Sequence, residues 1–541
     1  MTEAESKVWK QIQSLFERCR SRSNYLIRNA RMFIGEKTMT ANHPRKAAYV
    51  MGLMAGISII WTANLNGQAI QRLVGTPLPD LPQVASPFEL RAINDPVTGK
   101  GTFVFEGHEI PPVIRAVPGG TIQLEYVKQM SNSSSEVCVD GPCMNMTNLH
   151  FHGLHVSPNA PGDDVLGMMA MPGESLHYTV DIPADQPPGL YWYHTHPHGE
   201  SYQQDLDGMS GAIVIDGMER YFPEIENMKE KILILRDAEL EPGSSSSKIL
   251  KRAVQLAPYN CGAATGEPTR VFTVNGVVRP RIAIASGEKQ FWRIVNASPD
   301  LYADLEVDSE SMTVVALDGM PLTYHAPNRH TEKHRHILLA PAGRVEVIVE
   351  GPKRGATASV RSLCVNTGAD GDPNPSMVLA DLDTNTKESV PIHSVEEGPY
   401  DKAIYKPLPH RMLDQLKRRP PDFTVKFTED KEGFYINDRK FAPDDEPMIR
   451  VKVGTRAHWR VTNATDEIHP FHIHQVHFLV YERAGVALRS PEWMDTVNIA
   501  PNESLDLIMD FTDPIIRGVS VFHCHLLKHE DKGMMAKILF Q

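Results

Sequence analysis

Histidines separated by a single residue recur along this chain, and one such pair encloses a cysteine. The segments read HFHG from His150, HTHPHG from His194, HPFHIH from His469 and HCHLLKHEDKGMM from His523. Successive side chains of a β-strand alternate between its two faces, so histidines two positions apart point the same way. Each pair can therefore act as a two-pronged metal ligand.

The last segment supplies most of a blue-copper electron-transfer site, which uses two imidazoles, one cysteine thiolate and a distant axial methionine. Cys524, His529 and Met534 are of the required types. Met535 follows directly, so the axial assignment depends only on spacing from His529. The second imidazole must come from another strand, and His469 is the histidine left once the other members of the segments are paired.

His523 and His525 flank Cys524 and point away from its copper, so they must serve a second metal centre. Eight histidines remain for that centre: His150, His152, His194, His196, His472, His474, His523 and His525. Eight ligands suit three coppers, and their positions predict a centre between the first and last domains. An electron reaching the cysteine could pass through its backbone to either neighbouring histidine, and dioxygen needs four electrons to become water.

The elements that must hold these ligands read as β-strands. After residue 85, short runs rich in Val, Ile, Thr and aromatic residues alternate with Gly, Pro, Asn and Asp, as is typical of β-sandwiches. A pattern of strand, turn and proline recurs from Thr102, Val271 and Gly433. Three copies predict three related sandwich domains, and the middle one, which lacks the histidine pairs, is expected to be a spacer. The predicted domains are 70–220, 221–395 and 396–541.

Composition narrows the classes of partner. The 541 residues carry a formal net charge of -12 without a long basic run beyond the N-terminal segment, which argues against a nucleic-acid partner. Six cysteines are too few for a dense disulfide framework. Cys138 could pair with Cys143, and Cys261 with Cys364.

The N-terminal segment, residues 1–69, predicts export. Residues 47–71 carry no charge and directly follow Arg45 and Lys46, as in the basic and apolar regions of an export signal. The expected location is therefore periplasmic or secreted. The alternative is an uncleaved membrane anchor, the only case in which a membrane partner is expected.

The ligand segments resemble the copper-binding segments of multicopper oxidases, and the likeness spans residues from about 85 to 541. WYHTHPHG, HPFHIH, EWMDTV and HCHLLKHEDKGMM are most similar to bacterial three-domain members, including spore-coat laccases and copper-tolerance oxidases. The resemblance implies an all-β fold of three cupredoxin-like Greek-key β-sandwich domains. It also implies four copper ions, one of type 1, one of type 2 and two of type 3.

The resemblance assigns each ligand. The type 1 ion would be held by His469, Cys524, His529 and Met534, and the type 2 ion by His150 and His472. One type 3 ion would be held by His152, His194 and His525, and the other by His196, His474 and His523.

Four acidic residues are candidates for moving protons or binding substrate. Glu530 matches the relay glutamate of bacterial members, which would supply protons to dioxygen. Asp163 and Asp164 compete for the role of an aspartate that family members carry after the first segment. Asp495, in EWMDTV, could hydrogen-bond a phenol or bind a cuprous ion, or could make a structural turn contact.

The implied activity is the one-electron oxidation of phenols or related aromatic donors, coupled to the four-electron reduction of dioxygen to water. A cuprous or manganous ion oxidase for metal tolerance is the alternative. A non-catalytic copper-binding protein is less favoured, because it would not need a His-Cys-His bridge between two centres.

We predict that Cys524→Ser abolishes both the blue colour and turnover while leaving the fold largely intact, because a hydroxyl is a poor copper ligand in place of a thiolate. Visible absorption, circular dichroism and oxygen uptake with a phenolic donor check this. Undiminished oxygen uptake in the variant would contradict the electron route through the cysteine.

Overall fold

The computed structural model describes residues 74–96, 98–131, 145–256, 261–264, 266–308, 310–326, 329, 331–385 and 410–541. The predicted export segment and the cysteines Cys19, Cys138 and Cys143 lie outside these residues. Among the described residues, none of the helices combines the length and apolar character that a membrane span requires.

The first sandwich consists of two sheets formed between residues 83 and 215. Its strands are β1 (Gln83–Val84), β2 (Phe88–Asn94), β3 (Gly101–Val104), β4 (Val113–Ala116), β5 (Thr121–Lys128), β6 (His150–His152), β7 (Ser175–Asp181), β8 (Gly189–His194) and β9 (Ser210–Ile215). The strand orders are β1-β4-β9-β8-β6 and β3-β2-β5-β7. Alternate residues of β5, among them Leu124 and Tyr126, face a buried core shared with β6 and β8.

The second sandwich occupies residues 229–383. Its strands are β10 (Lys229–Glu239), β11 (Arg270–Val274), β12 (Arg281–Ala283), β13 (Lys289–Asn296), β14 (Ala303–Val307), β15 (Met312–Leu317), β16 (Met320–Pro321), β17 (Glu332–His334), β18 (His336–Leu339), β19 (Arg344–Glu350), β20 (Ala358–Leu363) and β21 (Met377–Asp383). One sheet has the order β11-β10-β13-β19-β15-β16, with β17 beside β15, and the other β12-β21-β20-β14-β18. The predicted disulfide between Cys261 and Cys364 is confirmed.

The third sandwich occupies residues 423–540. Its strands are β22 (Phe423–Asp430), β23 (Gly433–Ile436), β24 (Ile449–Val451), β25 (Thr455–Asn463), β26 (His469–Ile473), β27 (Phe478–Arg483), β28 (Val486–Met494), β29 (Thr496–Ile499), β30 (Ser504–Phe511), β31 (Gly518–Cys524) and β32 (Met535–Phe540). The orders are β23-β22-β25-β30-β27-β28 and β24-β32-β31-β26-β29. Trp459 and Phe471 lie in the core between these sheets.

Short helices occur between the strands. They are α1 (Ser201–Leu206), α2 (Ser245–Ala253), α3 (His410–Lys417) and α4 (Leu527–Asp531), with single 3-10 turns at Met218–Arg220, Pro223–Ile225 and Pro514–Ile516. The expected all-β fold of three cupredoxin-like sandwich domains is confirmed. The exact domain limits stay predictions.

Strand pairing brings the histidine segments into register. In the first sandwich, His150 of β6 lies opposite His194 of β8. In the third, His472 of β26 lies opposite His523 of β31. Antiparallel partners place their side chains close together on one face, so each sandwich presents a compact group of imidazoles.

The first and second sandwiches share an apolar contact. Leu190 and Trp192 of β8 pack with Ile234 of β10 and Val295 of β13 in one buried cluster. Because β8 ends at the predicted ligand His194, this contact anchors a strand of the candidate site to a sandwich that carries none of the four histidine segments.

Candidate metal centres

The first centre lies inside the third sandwich and contains Cys524, His469 and His529. Cys524 ends β31, His469 begins β26 and His529 lies on α4. The Sγ atom of Cys524 is 3.4 Å from Nδ1 of His469, which is 3.4 Å from Nδ1 of His529. All three side chains are buried, and their potential ligand atoms lie within 4.8 Å of one another.

The outer nitrogens of both histidines are occupied, so their Nδ1 lone pairs are free to face this centre. The Nε2–H of His469 donates to Thr465 Oγ1 at 2.8 Å, and Nε2 of His529 lies 3.3 Å from Oε1 of Glu467. The other nitrogen of a metal-bound imidazole usually makes such a contact. The Cys524 sulfur accepts the N–H of Leu526 at 3.4 Å.

The structure separates the two methionines that the sequence left open. Met534 is fully buried in the same apolar core as Cys524, and its carbonyl accepts the N–H of that cysteine at 3.0 Å. Met535 begins β32 and belongs to a different cluster, with Phe441 and Val521. This packing favours Met534 as the axial group.

The remaining eight histidines form one buried cluster between the first and third sandwiches. None is more than 2% exposed. The ring centroids of His150 and His474 are 3.7 Å apart, and those of His152 and His472 are 3.9 Å apart. Imidazoles of two sandwiches, more than 300 residues apart in sequence, therefore stack directly on each other.

Within this cluster, three nitrogens converge where the sequence predicted one type 3 ion. Nε2 of His523 lies 3.1 Å from Nε2 of His474 and 3.4 Å from Nε2 of His196. The ring centroids of the second predicted trio, His152, His194 and His525, are 5.1 to 5.9 Å apart. The predicted type 2 ligands His150 and His472 have ring centroids 6.0 Å apart. The division of the cluster among individual ions stays a prediction.

Unpartnered nitrogens indicate that the cluster fits metal ions. The buried ring atoms without a hydrogen bond are Nε2 of His150, Nδ1 of His152, Nε2 of His194, Nε2 of His472, Nδ1 of His474 and both nitrogens of His525. Each such atom costs roughly 1–3 kcal/mol in a folded protein. Metal coordination would satisfy one nitrogen of each ring, and imidazole together with a thiolate is a donor set that suits copper.

Backbone carbonyls fix which nitrogen of two of these rings is free. Nδ1–H of His523 donates to the carbonyl of Cys524 at 3.0 Å, and Nδ1–H of His194 donates to the carbonyl of Thr195 at 3.0 Å. In each case Nε2 is left to face the cluster. A hydrogen bond on one nitrogen thus sets the tautomer that makes the other a ligand.

The structure distinguishes between the two neighbouring aspartates. Asp163 is buried and accepts from Nδ1 of His150 at 2.9 Å and from the amide of Gln475 at 2.7 Å. Asp164 is half-buried and accepts the N–H of Gly167 at 2.7 Å within a turn. The geometry favours Asp163 over Asp164 as the aspartate next to the cluster.

The predicted substrate role of Asp495 requires correction. Its side chain is fully buried, Oδ1 lies 3.1 Å from Nε2 of His152, and both oxygens accept from Arg344. A donor arriving from solvent therefore cannot touch it. Asp495 instead contacts the histidine cluster and is itself paired with Arg344 of the second sandwich, so that sandwich is more than a spacer.

Glu530 lies beside the cluster, with Oε2 3.0 Å from Nδ1 of His523 and Oε1 3.6 Å from Nε2 of His196. Burial alone would raise the pKa of Glu530. The two histidines outweigh burial and lower this pKa to about 2. The group is placed to exchange protons with the edge of the cluster.

A cavity of about 570 Å³ opens beside the cysteine-containing centre. It is lined by His529, by Phe434, whose ring stacks on His529 at 3.8 Å, and by the carboxylates of Glu429 and Glu467. Sequence reasoning missed these three neighbours, because no spacing links them to the ligand segments. Arg344 was missed for the same reason.

Comparison with known proteins adds independent evidence. Family models described as "Multicopper oxidase" match residues 97–220 and 414–541. The chain is 23% identical to "Multicopper oxidase mco" of Staphylococcus haemolyticus, over 81% of this chain and 83% of that protein. It is 25% identical to a "Laccase" of Bacillus subtilis, over 67% of this chain and 72% of that protein.

Solved structures agree on the fold. A multicopper oxidase from Campylobacter jejuni, described as a metallo-oxidase, superposes with a TM-score of 0.63 at 23% identity, covering 86% of this chain and 95% of that one. The McoA multicopper oxidase of Aquifex aeolicus gives a TM-score of 0.62 at 19% identity, covering 86% of this chain and 99% of that one.

The cluster predicts that the copper-free protein loses stability as pH falls. Burial is the main cause that lowers the pKa of six cluster histidines below the ordinary value of 6.5. For His196 the pKa falls to about 3. The six residues are His150, His152, His196, His472, His474 and His525. Because the unfolded chain then takes up protons first, this stability is complete above about pH 6.5 and declines below it. Each such histidine removes about 1.4 kcal/mol per pH unit in that window.

Urea unfolding of the copper-free protein at about pH 7.5 and about pH 5.5 measures this slope. We expect His196→Gln to flatten it, whereas substitution of the exposed His336 serves as the control. A pH dependence of the unfolding free energy in His196→Gln equal to that of the wild type would contradict the burial of a neutral imidazole at this position.

Proposed function

We propose that this chain, which belongs to the multicopper oxidase family, is a laccase-like enzyme that oxidises phenols or related aromatic donors and reduces dioxygen to water. One observation carries the proposal: the sequence His523-Cys524-His525 joins a buried cysteine centre to a buried cluster of eight histidines. A protein that only stores copper has no need for this connection.

The proposed cofactors are four copper ions. The type 1 ion is held by His469, Cys524, His529 and Met534. The type 2 ion is held by His150 and His472, and the type 3 pair by His152, His194 and His525 and by His196, His474 and His523. When bound, these ions supply one-electron redox chemistry, which the side chains of this protein lack.

The chain itself provides the connection between the two centres. Cys524 is covalently continuous with His523 and His525, and the hydrogen bond from Nδ1 of His523 to the Cys524 carbonyl, at 3.0 Å, adds a second short contact. His525 is held by its backbone N–H, which donates to the carbonyl of Pro470 at 2.7 Å. Both links lie in a buried region, so water is excluded from the route.

Protons enter by carboxylates rather than by the metal ligands. Glu530 is proposed to pass protons toward the side of the cluster formed by His196 and His523, from which its oxygens are 3.0 to 3.6 Å away. Asp163 occupies the opposite position, next to His150. These two buried groups give general acid-base catalysis two points of access.

The cavity at His529 is the proposed donor site. Its volume of about 570 Å³ suits a small aromatic molecule. Phe434 covers one face of the His529 ring at a centroid separation of 3.8 Å. A donor in this cavity would lie next to an imidazole of the cysteine centre, and Asp495 is not among the residues that line the cavity.

The second candidate is the oxidation of cuprous or manganous ions, and one observation favours the manganous ion. The same cavity is lined by the carboxylates of Asp300, Asp370, Asp372, Glu429, Asp430 and Glu467, and carboxylates suit hard divalent cations such as manganous ion. Lys431, Lys528, Lys532 and Arg270 also line it and offset part of this charge. The proposed primary donor therefore remains aromatic.

Export to the periplasm or the medium is also proposed. The uncharged run of residues 47–71 after Arg45 and Lys46 supports it. The disulfide between Cys261 and Cys364 supports it as well, because disulfides persist in oxidising compartments outside the cytoplasm.

The decisive test is oxygen uptake by the copper-loaded protein with a phenolic donor and, separately, with cuprous ion, while the visible spectrum is recorded. We expect phenol-driven uptake without release of peroxide, because the two linked centres can store the electrons that complete reduction needs. Uptake with cuprous ion alone would favour the metal oxidase. A blue protein without uptake would contradict both and leave a copper-binding protein.

A further inference from the structure

We propose that Arg344 of the second sandwich is a positioning residue for the histidine cluster. Acting through Asp495, it fixes the rings of His152 and His472, so a sandwich without copper ligands sets the geometry of the copper site. The inference rests on the proposed function in one respect, namely that these two histidines bind copper.

Arg344 begins β19 and is fully buried, and its guanidinium makes a two-point contact with Asp495. Nη1 donates to Oδ1 at 2.7 Å and Nη2 to Oδ2 at 2.5 Å. The remaining N–H groups donate to the backbone carbonyls of Leu190 at 3.3 Å, Ala342 at 3.2 Å and Asp318 at 2.9 Å. A planar fork with every donor used has one allowed orientation, which a lysine ammonium cannot reproduce.

Asp495 transmits this orientation to one proposed ligand from each of two sandwiches. Its Oδ1 accepts the Nε2–H of His152 at 3.1 Å, and its backbone carbonyl accepts the Nδ1–H of His472 at 2.8 Å. The nitrogens left over, Nδ1 of His152 and Nε2 of His472, are both buried without a hydrogen-bond partner. One residue therefore determines which nitrogen each ring offers to a metal.

The backbone around Asp495 is held by the second sandwich as well. Oδ2 of Asp318 accepts the N–H groups of Asp495 and Thr496, each at 3.3 Å, while Oδ1 accepts the backbone N–H of Arg344 at 2.9 Å. The carbonyl that receives His472 belongs to this tethered segment. The second sandwich thus fixes both the side chain of Asp495, through Arg344, and its main chain, through Asp318.

Charge supports the same arrangement. The buried carboxylate of Asp495 faces the guanidinium of Arg344 directly, with Oδ2 2.5 Å from Nη2. His477 also faces the carboxylate, with Nε2 3.5 Å from Oδ2, and Asp318 lies close to the guanidinium, 3.6 Å from Nη1. Arg344 is the cation that balances two buried carboxylates here.

The glycine of the HFHG segment makes room for this contact. Gly153 has a φ of +87°, and a Cβ atom placed there would lie 2.5 Å from Nη2 of Arg344 and 2.7 Å from Oδ2 of Asp495. Any larger residue would push the ion pair away from His152, the neighbour of this glycine. The close approach accounts for a glycine directly after the first ligand pair.

The test compares Arg344→Lys and Arg344→Met in the full-length, copper-loaded enzyme with a matched control, Arg293→Lys. Arg293 is a buried arginine of the same sandwich, 4% exposed, and pairs with Glu230 and Glu346, whereas Arg344 pairs with the carboxylate that contacts His152. The measurements are copper per chain, the electron paramagnetic resonance spectrum of the type 2 ion, the blue absorption band, and kcat and KM with a phenolic donor.

We expect Arg344→Met to weaken copper retention in the histidine cluster or lower kcat by about 10- to 100-fold, the range seen when contacts behind metal ligands are removed. The type 2 spectrum should change, whereas the blue band and KM should stay as in the wild type, because the cysteine centre lies elsewhere. The effects of Arg344→Lys should lie between those of Arg344→Met and the wild type, since lysine keeps the positive charge but loses the two-point contact. Arg293→Lys should leave every signal unchanged.

Equal effects in the Arg344 and Arg293 variants, or an unchanged type 2 spectrum in a folded Arg344 variant, would overturn the inference. If Arg344→Met does not fold, the type 2 spectrum of Arg344→Lys tests the inference instead. A wild-type protein that retains no copper beyond the cysteine centre would instead refute the proposed function, a result that is recognised before any variant is compared.

Discussion

The structure depends on buried imidazole nitrogens that have no hydrogen-bond partner within the protein. Eight histidines from two sandwiches converge in a region that is closed to water, and ring nitrogens such as Nε2 of His150 and Nε2 of His472 face one another there. Without a cation, these lone pairs are desolvated and uncompensated, which is unfavourable. Bound metal ions would compensate these lone pairs, so the metal-free protein should be less stable than the loaded one.

Several of the rings are held by a hydrogen bond to the nitrogen that does not face the cluster. Asp163 holds His150, the Cys524 carbonyl holds His523, and Asp495 holds both His152 and His472. These partners come from the first and third sandwiches, and Asp495 is in turn held by the second. The three sandwiches are therefore coupled at one point, although the proposed ligands belong to only two of them.

Much of this could be predicted from the sequence, because the ligand segments are local. The His-x-His spacing, the alternation of a β-strand and the three repeated strand patterns predicted an all-β fold, and the Cys261–Cys364 disulfide was among the pairings considered. Arg344 could not be found in this way, since it occurs in an ordinary strand sequence, RVEVIVE, and meets Asp495 only through tertiary packing. Likewise, Asp163 and Asp164 are adjacent in sequence, and only the fold turns one of them toward His150 and the other into a turn.

The most direct test of the central claim, a cysteine centre linked to one shared histidine cluster, is a copper count combined with electron paramagnetic resonance on the fully loaded enzyme. The account predicts the proposed four copper ions per chain, with fewer ions detected by resonance than are bound, because two neighbouring cupric ions in one histidine cluster would couple magnetically. One copper per chain, or a resonance signal from every ion present, would contradict it.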